Sequence, residues 1–190
     1  DKYPVEQVAT PEGYARNPEL VINFYNERRK QLLDVKPNAG HIVLAELEKD
    51  FNVTVVTQNV DNLHERAGSK RVIHLHGELT KVCSSRDPYN PHYIKELKPD
   101  EYEVKLGDKA GDGTQLRPFI VWFGESVPES ETAVDYVEKA DIFVIIGTSM
   151  NVYPAAGLLN YVPRDAEVYL IDPKPVDVHS MRQIHVIQKG

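Results

Sequence analysis

The sequence predicts an α/β protein, a doubly wound, Rossmann-like parallel sheet with a small irregular insert lobe. Three observations predict it. Short, continuously apolar, β-branched runs end in clusters of polar residues or glycine, as in "VTVVTQNVDN" and "IFVIIGTS". Such runs are the mark of parallel strands covered on both faces. Stretches with helical caps and spacing stand between them, the alternation of a βαβ architecture. The segment 84–116 breaks this pattern, being polar, proline- and glycine-containing and without periodicity.

The elements follow in order. Residues 16–34 read as a helix, with Asn17 at the N-cap, Pro18 at the first helical position and Glu19 in the first turn. Residues 37–50 read as a second helix capped by Asn38. The run 53–57 is a buried strand. "RVIHLHGEL" (71–79) reads as another, with Ile73 and Leu75 on one face and Val72, His74 and His76 on the other. "RPFIVWFGES" (117–126) is a strand entering a loop. The buried strand 142–146 leads to Gly147, Thr148 and Ser149 and a helix near Pro154. "EVYLIDPKP" is a further strand, with Asp172 at its end. The main domain is therefore expected over 1–82 and 117–190. An insert over 83–116 interrupts it, irregular but for a hairpin.

Composition narrows the function. A chain of 190 residues with 41% hydrophobic content is long enough for one domain with a real core. A net charge of −7 argues against binding to nucleic acid or to a membrane surface. The longest apolar run, 142–146, is too short to cross a bilayer. A single cysteine, Cys83, excludes an intrachain disulfide and suits a reducing compartment, so a cytoplasmic location is expected. A monomer is the favoured oligomeric state.

In doubly wound sheets ligands bind beyond the carboxyl ends of the strands. Gln58, Asn59, Asp61, Ser149 and Asp172 all fall at such ends, which together favour a nucleotide-type site. The paired His74 and His76 are compatible with metal binding, acid/base chemistry or a solvated strand face. Their own stretch does not choose between these.

The motifs "TQNVDNLHERAG", "HLHGEL", "LRPFIVWFGESVP", "ADIFVIIGTSMNVYPAAGLL" and "IDPKP", in this order and spacing, resemble the sirtuins, the NAD-dependent protein lysine deacylases. The resemblance covers nearly the whole chain outside the insert. It implies that His76 is the catalytic base, taking a proton from a ribose hydroxyl after the acyl oxygen has attacked the sugar and nicotinamide has left. The products are free lysine, nicotinamide and O-acyl-ADP-ribose. It implies that Gln58, Asn59, Val60 and Asp61 line the nicotinamide and ribose pocket. Gly147, Thr148, Ser149, Asp172, Pro173 and Lys174 would hold the rest of the cofactor, although the family usually has asparagine where Asp172 stands. Val121, Phe123, Gly124 and Glu125 on one side, and Asn151 and Val152 on the other, resemble the edges that clamp an acyl-lysine peptide as an added strand. His74 is expected to be structural or solvent-facing, and a metal role for the two histidines is not expected, because no zinc-like ligand spacing follows.

"ATPEGYARNPELVINFYNERRKQL" resembles the sirtuin subgroup that removes negatively charged acyl groups. Tyr25 and Arg28, three apart and so on one helix face, would read the acyl carboxylate, guanidinium bidentately and phenol as a further donor. Succinyl- and malonyl-lysine are the expected substrates, with acetyl-lysine also accepted. Two departures stand out. The family usually holds a structural zinc with four cysteines, whereas the insert has only Cys83, so no zinc is expected. The family also opens on a glycine-rich GAGxS segment, while this sequence starts at "DKYPVEQVATPEG", so the expectation is a core of a longer protein. The competing readings are a catalytically inactive peptide-binding fragment and a protein ADP-ribosyltransferase.

Overall fold

Two asparagine caps start the first long helices. The computed structural model describes residues 2–147, 155–174 and 182–190. The Asn17 side chain accepts from the Leu20 amide at the head of α3 (Pro18–Leu32). Asn38 accepts from the His41 amide, and His41 Nδ1 accepts from the Asn38 amide, closing a capping box at α4 (Ala39–Glu46). Two short helices, α1 (Val5–Val8) and α2 (Pro11–Arg16), precede them, and Thr10 caps the second through the Gly13 amide. The described residues contain no helix long and apolar enough to cross a membrane.

The chain divides into two compact units, Asp1–Pro128 and Glu129–Gly190. In the first, β1 (Val55–Thr57) pairs in parallel with β2 (Val72–His74). The strand expected over 71–79 does not run through. It stops at His74, turns at Leu75 and His76, and resumes as β3 (Gly77–Ser84) in a different sheet. The physical reason is Gly77, whose φ of +89° is a conformation that side-chain-bearing residues rarely adopt. His74 and His76 therefore do not share a strand face.

β5 (Leu116–Ile120) also differs from expectation. It is not a strand of the parallel sheet but lies antiparallel to β3, with Cys83 opposite Arg117 and Gly77 opposite Ile120. β4 (Lys95–Glu96) pairs with the other edge of β3. The insert is thus an excursion between β3 and β5, and those two strands form its stem. Its apolar residues Leu97 and Val104 pack with Ile22 and Val82. A second cluster, Val21, Tyr25, Leu32, Leu79, Ile120 and Trp122, seats α3 on β3 and β5. α5 (Leu63–Ala67) follows β1 and ends at Gly68 in a left-handed cap.

The second unit contains α6 (Ser130–Val137), then β6 (Ile142–Ile146), α7 (Ala155–Leu158), β7 (Glu167–Ile171) and β8 (His185–Ile187). The three strands are parallel, in the order β6-β7-β8. β6 is not the fully buried strand its sequence suggests. Among the described strands it is an edge, and Ile142, Val144 and Ile146 are 45%, 43% and 51% exposed. Only Ile145 is buried. Strand β8, absent from the sequence reading, is only three residues long, too short to announce itself.

Candidate active site

Three segments of the first unit are stitched together at the end of β1 by backbone hydrogen bonds. The Leu75 amide donates to the Thr57 carbonyl and the Leu79 amide to the Val60 carbonyl. The Val121 amide donates to the His76 carbonyl, and the Phe123 amide to the Ala9 carbonyl. The loop holding Gln58, Asn59, Val60 and Asp61, the turn holding His76, and the edge 121–125 therefore form one constellation. Loop residues fold back on their own side chains. Thr57 Oγ1 accepts from the Asn59 amide, and Asp61 Oδ1 accepts from the Leu63 amide at the start of α5. Asn62, which the sequence reading passed over, belongs here too. Its Oδ1 and Gln58 Nε2 are buried with no hydrogen-bond partner among the described residues. Buried polar atoms are usually hydrogen-bonded to protein or water, so these two are a donor and an acceptor available to a polar group.

The two histidines have different surroundings. His76 is half-buried; burial lowers its proton affinity, and hydrogen bonding to the Gln58 backbone only partly offsets this. It is thus predominantly neutral at pH 7, the form that accepts a proton. His74 is 6% exposed. Burial would lower its affinity as well. Hydrogen bonds to Glu65 Oε2 at 2.8 Å and to the Asn59 carbonyl at 3.0 Å, with the charges of Glu65 and Glu78, outweigh burial and raise it. His74 thus pins the Asn59 backbone from beneath, a structural role. Glu65, His74 and Glu78 are close enough to surround a cation, but their charges are already met by the shared imidazolium and by Lys81 Nζ, 2.6 Å from Glu78.

The edge 121–125 is a tight turn. The Glu125 amide donates to the Trp122 carbonyl, and Gly124, with φ +91°, takes the third position, as a type II turn requires. Phe123 projects from it, 69% exposed. Glu125 sits on the turn, but its carboxylate faces inward, paired with Arg117 at 2.9 and 3.0 Å. The Trp122 indole donates to the Tyr25 hydroxyl, which donates to the Val8 carbonyl at 2.9 Å. Tyr25 is therefore a core residue, 6% exposed, with its proton engaged. Arg28, one turn further along α3, is partly exposed and stacks on the Phe24 ring, 5.0 Å from its centroid. Sequence reasoning missed Arg117 and Trp122. An arginine inside an apolar strand, with a glutamate eight residues on, was the available signal.

In the second unit, Gly147 and Asp172 lie together just beyond the paired ends of β6 and β7. The Gly147 amide donates to the Ile171 carbonyl, and the Asp172 amide to the Ile187 carbonyl. Gly147 has φ +64°, and among the described residues nothing lies within 4 Å of where a Cβ would point. Asp172 Oδ1 accepts from the Lys174 amide across Pro173. Thr148, Ser149, Asn151, Val152 and Pro154 lie outside the described residues. Cys83 is buried, its thiol 3.8 Å from the Pro118 carbonyl, and burial pushes its pKa up to about 12.

Residues 1–154 match the model of the Sir2 family. An NAD-dependent protein deacylase of Bacteroides thetaiotaomicron is 85% identical over all 190 residues, which cover 81% of that protein. One from Aggregatibacter actinomycetemcomitans is 53% identical over 90% of this chain and 79% of its own length. Among solved structures, a Sir2 homologue in complex with NAD is 35% identical with a TM-score of 0.81, over 97% of this chain and 72% of that one. Sir2Tm bound to a propionylated peptide is 27% identical, with a TM-score of 0.76, over 100% and 81%.

Proposed function

The chain belongs to the Sir2 family and is an NAD-dependent protein lysine deacylase, and from that premise we propose that it prefers acyl groups carrying a carboxylate, succinyl and malonyl, with acetyl also accepted. The observation that carries the preference is the placement of Arg28 one helical turn from Tyr25 on α3, a partly exposed guanidinium beside a wall of aromatic rings. A guanidinium binds a carboxylate through two parallel hydrogen bonds and is favoured where water is partly excluded. Tyr25 supports the wall, and its hydroxyl reaches an acyl carboxylate only by giving up Val8.

NAD fits the residues present. The unpartnered Gln58 amide and Asn62 oxygen supply a donor and an acceptor for a carboxamide and sugar hydroxyls. Within the second unit by itself, Gly147 has no Cβ and no described residue within 4 Å of where one would point, and Asp172 keeps acceptor capacity for sugar hydroxyls. When bound, NAD supplies an electrophilic sugar carbon and a nicotinamide leaving group. The chain's part is then positional and basic. The 121–125 edge pairs with the substrate backbone, and neutral His76 takes the proton from a ribose hydroxyl. The single-cysteine chain supports a cytoplasmic location for this chemistry.

Steady-state assays of Arg28→Met on succinyl- and acetyl-peptides test the preference. Loss of a charge-assisted pair of roughly 1.5–3 kcal/mol would lower kcat/KM for the succinyl peptide about 10- to 100-fold. The acetyl peptide would be nearly unaffected. An unchanged succinyl/acetyl ratio would overturn the preference.

A further inference from the structure

The turn that presents Phe123 is held from below by a buried charge. The Arg117 side chain is 4% exposed, in the midst of apolar β5. Each of its three nitrogens donates to one short stretch of chain, residues 118–125. Nη1 and Nη2 reach the two Glu125 oxygens, Nη2 also the Ile120 carbonyl at 2.8 Å, and Nε the Pro118 carbonyl. Its guanidinium lies 3.8 Å from the Trp122 ring centroid. Glu125 Oε1 also accepts from the Trp122 amide at 2.8 Å. Both ends of the turn, Trp122 and Glu125, are thus tied to one guanidinium. Through the Trp122 indole the tie continues to Tyr25. A buried ion pair gives little net stability compared with apolar residues of the same volume, but it fixes geometry. Here the geometry it fixes is that of the segment whose backbone meets the substrate.

We propose that Arg117 and Glu125 are positioning residues for substrate, a buried latch that sets the 121–125 edge for pairing with an acyl-lysine peptide. Neither side chain touches the peptide. The latch rests on the reading above that this edge docks the peptide, and it does not depend on which acyl group is removed.

The test is steady-state kinetics of the full chain as it is normally isolated, with Arg117→Lys, Glu125→Gln and the double variant Arg117→Met/Glu125→Leu. Arginine's fork cannot be reproduced by lysine. The apolar double variant removes both charges together, so it leaves no buried charge unpaired and is expected to fold. The expected result is a peptide KM raised about tenfold for acetyl and succinyl peptides alike, with kcat and the KM for NAD within about twofold of the parent. That split separates positioning from loss of folded protein, which lowers kcat and leaves KM alone. An unchanged peptide KM in the soluble double variant overturns the latch. So does a fall in kcat without a rise in peptide KM. Gly124→Ala, which has room for its Cβ but strains the turn, tests the edge itself. If it raises the peptide KM while the double variant does not, the edge stands and the latch fails. If neither raises it, the docking reading falls too. Arg28→Met reports only on acyl preference and leaves both untouched.

Discussion

His74 and His76 stand two residues apart with proton affinities displaced in opposite directions, His74 upward and His76 downward. The turn that separates their side chains is the cause. One ring is driven against Glu65 and the Asn59 carbonyl, and the other remains half-buried with the Gln58 backbone. For a base this matters, since only neutral imidazole accepts a proton. With its affinity below the ordinary 6.5, His76 loses its proton earlier than a free histidine as pH rises. kcat/KM should therefore rise with a midpoint below pH 6.5 and be flat from pH 7 to 8. His76→Ala should lower kcat by about 10²- to 10⁴-fold, the usual range for a general base. A pH–rate profile with its midpoint well above 7 would contradict this assignment.

The Glu65–His74 pair makes a different prediction, for stability. His74, with its folded affinity raised, stabilises the fold below its unfolded pKa, and the contribution is lost as pH rises through the folded value. Glu65 is lowered, because the hydrogen bond and charge of His74 outweigh burial. It contributes above its unfolded pKa and fades as pH falls through the folded value. The pair thus contributes most in the mildly acidic window between the two unfolded values, near pH 5–6. Glu65→Gln should cost about 1 kcal/mol there, less than the roughly 1.5–3 kcal/mol of a buried charged hydrogen bond because Glu65 is partly exposed. The cost should shrink toward pH 9. Thermal melts of both proteins across pH 5–9 measure it. A difference that grows with pH would reverse the sign.

Gly77 controls where His76 points. A Cβ there would collide with the Phe119 carbonyl and sit 2.9 Å from Ile120 Cα, both backbone atoms of β5, and φ is +89°. Neither neighbour can swing aside. Gly77→Ala should destabilise by more than about 3 kcal/mol, combining backbone strain with a steric clash. Denaturant melts, or the soluble yield, would show it. A variant with the parent's stability and activity would contradict the turn.

What was legible in the sequence was local. Asn17 and Asn38 cap helices through amides three residues away, so their signals lie within one window. The Gln58–Asp61 cluster could be placed because strand ends follow from where an apolar run stops. The histidine pair was misplaced because the alternation of "VIHLHGEL" continues smoothly through a turn made by one glycine, and alternation carries no information about φ. The inward pairing of the Glu125 side chain was not legible because its partner, Arg117, lies eight residues away across a turn. Trp122 and Tyr25 meet across 97 positions of sequence, a distance no periodicity reaches. β6 read as buried because its composition is apolar, while its exposure depends on which strands flank it.

The insert shows how such a lobe is anchored by one helix. Arg29, 1% exposed on α3, donates to the Tyr102 and Leu79 carbonyls and to Asn26 Oδ1. Burial lowers its pKa to about 10, so it stays charged at neutral pH. Asn26 in turn both donates to the Val104 carbonyl at 2.7 Å and accepts from its amide at 3.0 Å, as a strand partner would. Removing that amide leaves two buried backbone groups of Val104 unpaired, at about 1–3 kcal/mol each before water enters. Asn26→Ala should therefore speed hydrogen exchange at the Leu97 and Val104 amides by at least about tenfold, the change expected from roughly 1.4 kcal/mol of local stability. Exchange in β6 and β7 should be unchanged. A zinc chelator should leave exchange at Leu97 and Val104 at the parent's rate. If instead the chelator speeds exchange and Asn26→Ala does not, the lobe is held by metal, and the α3 anchor is secondary.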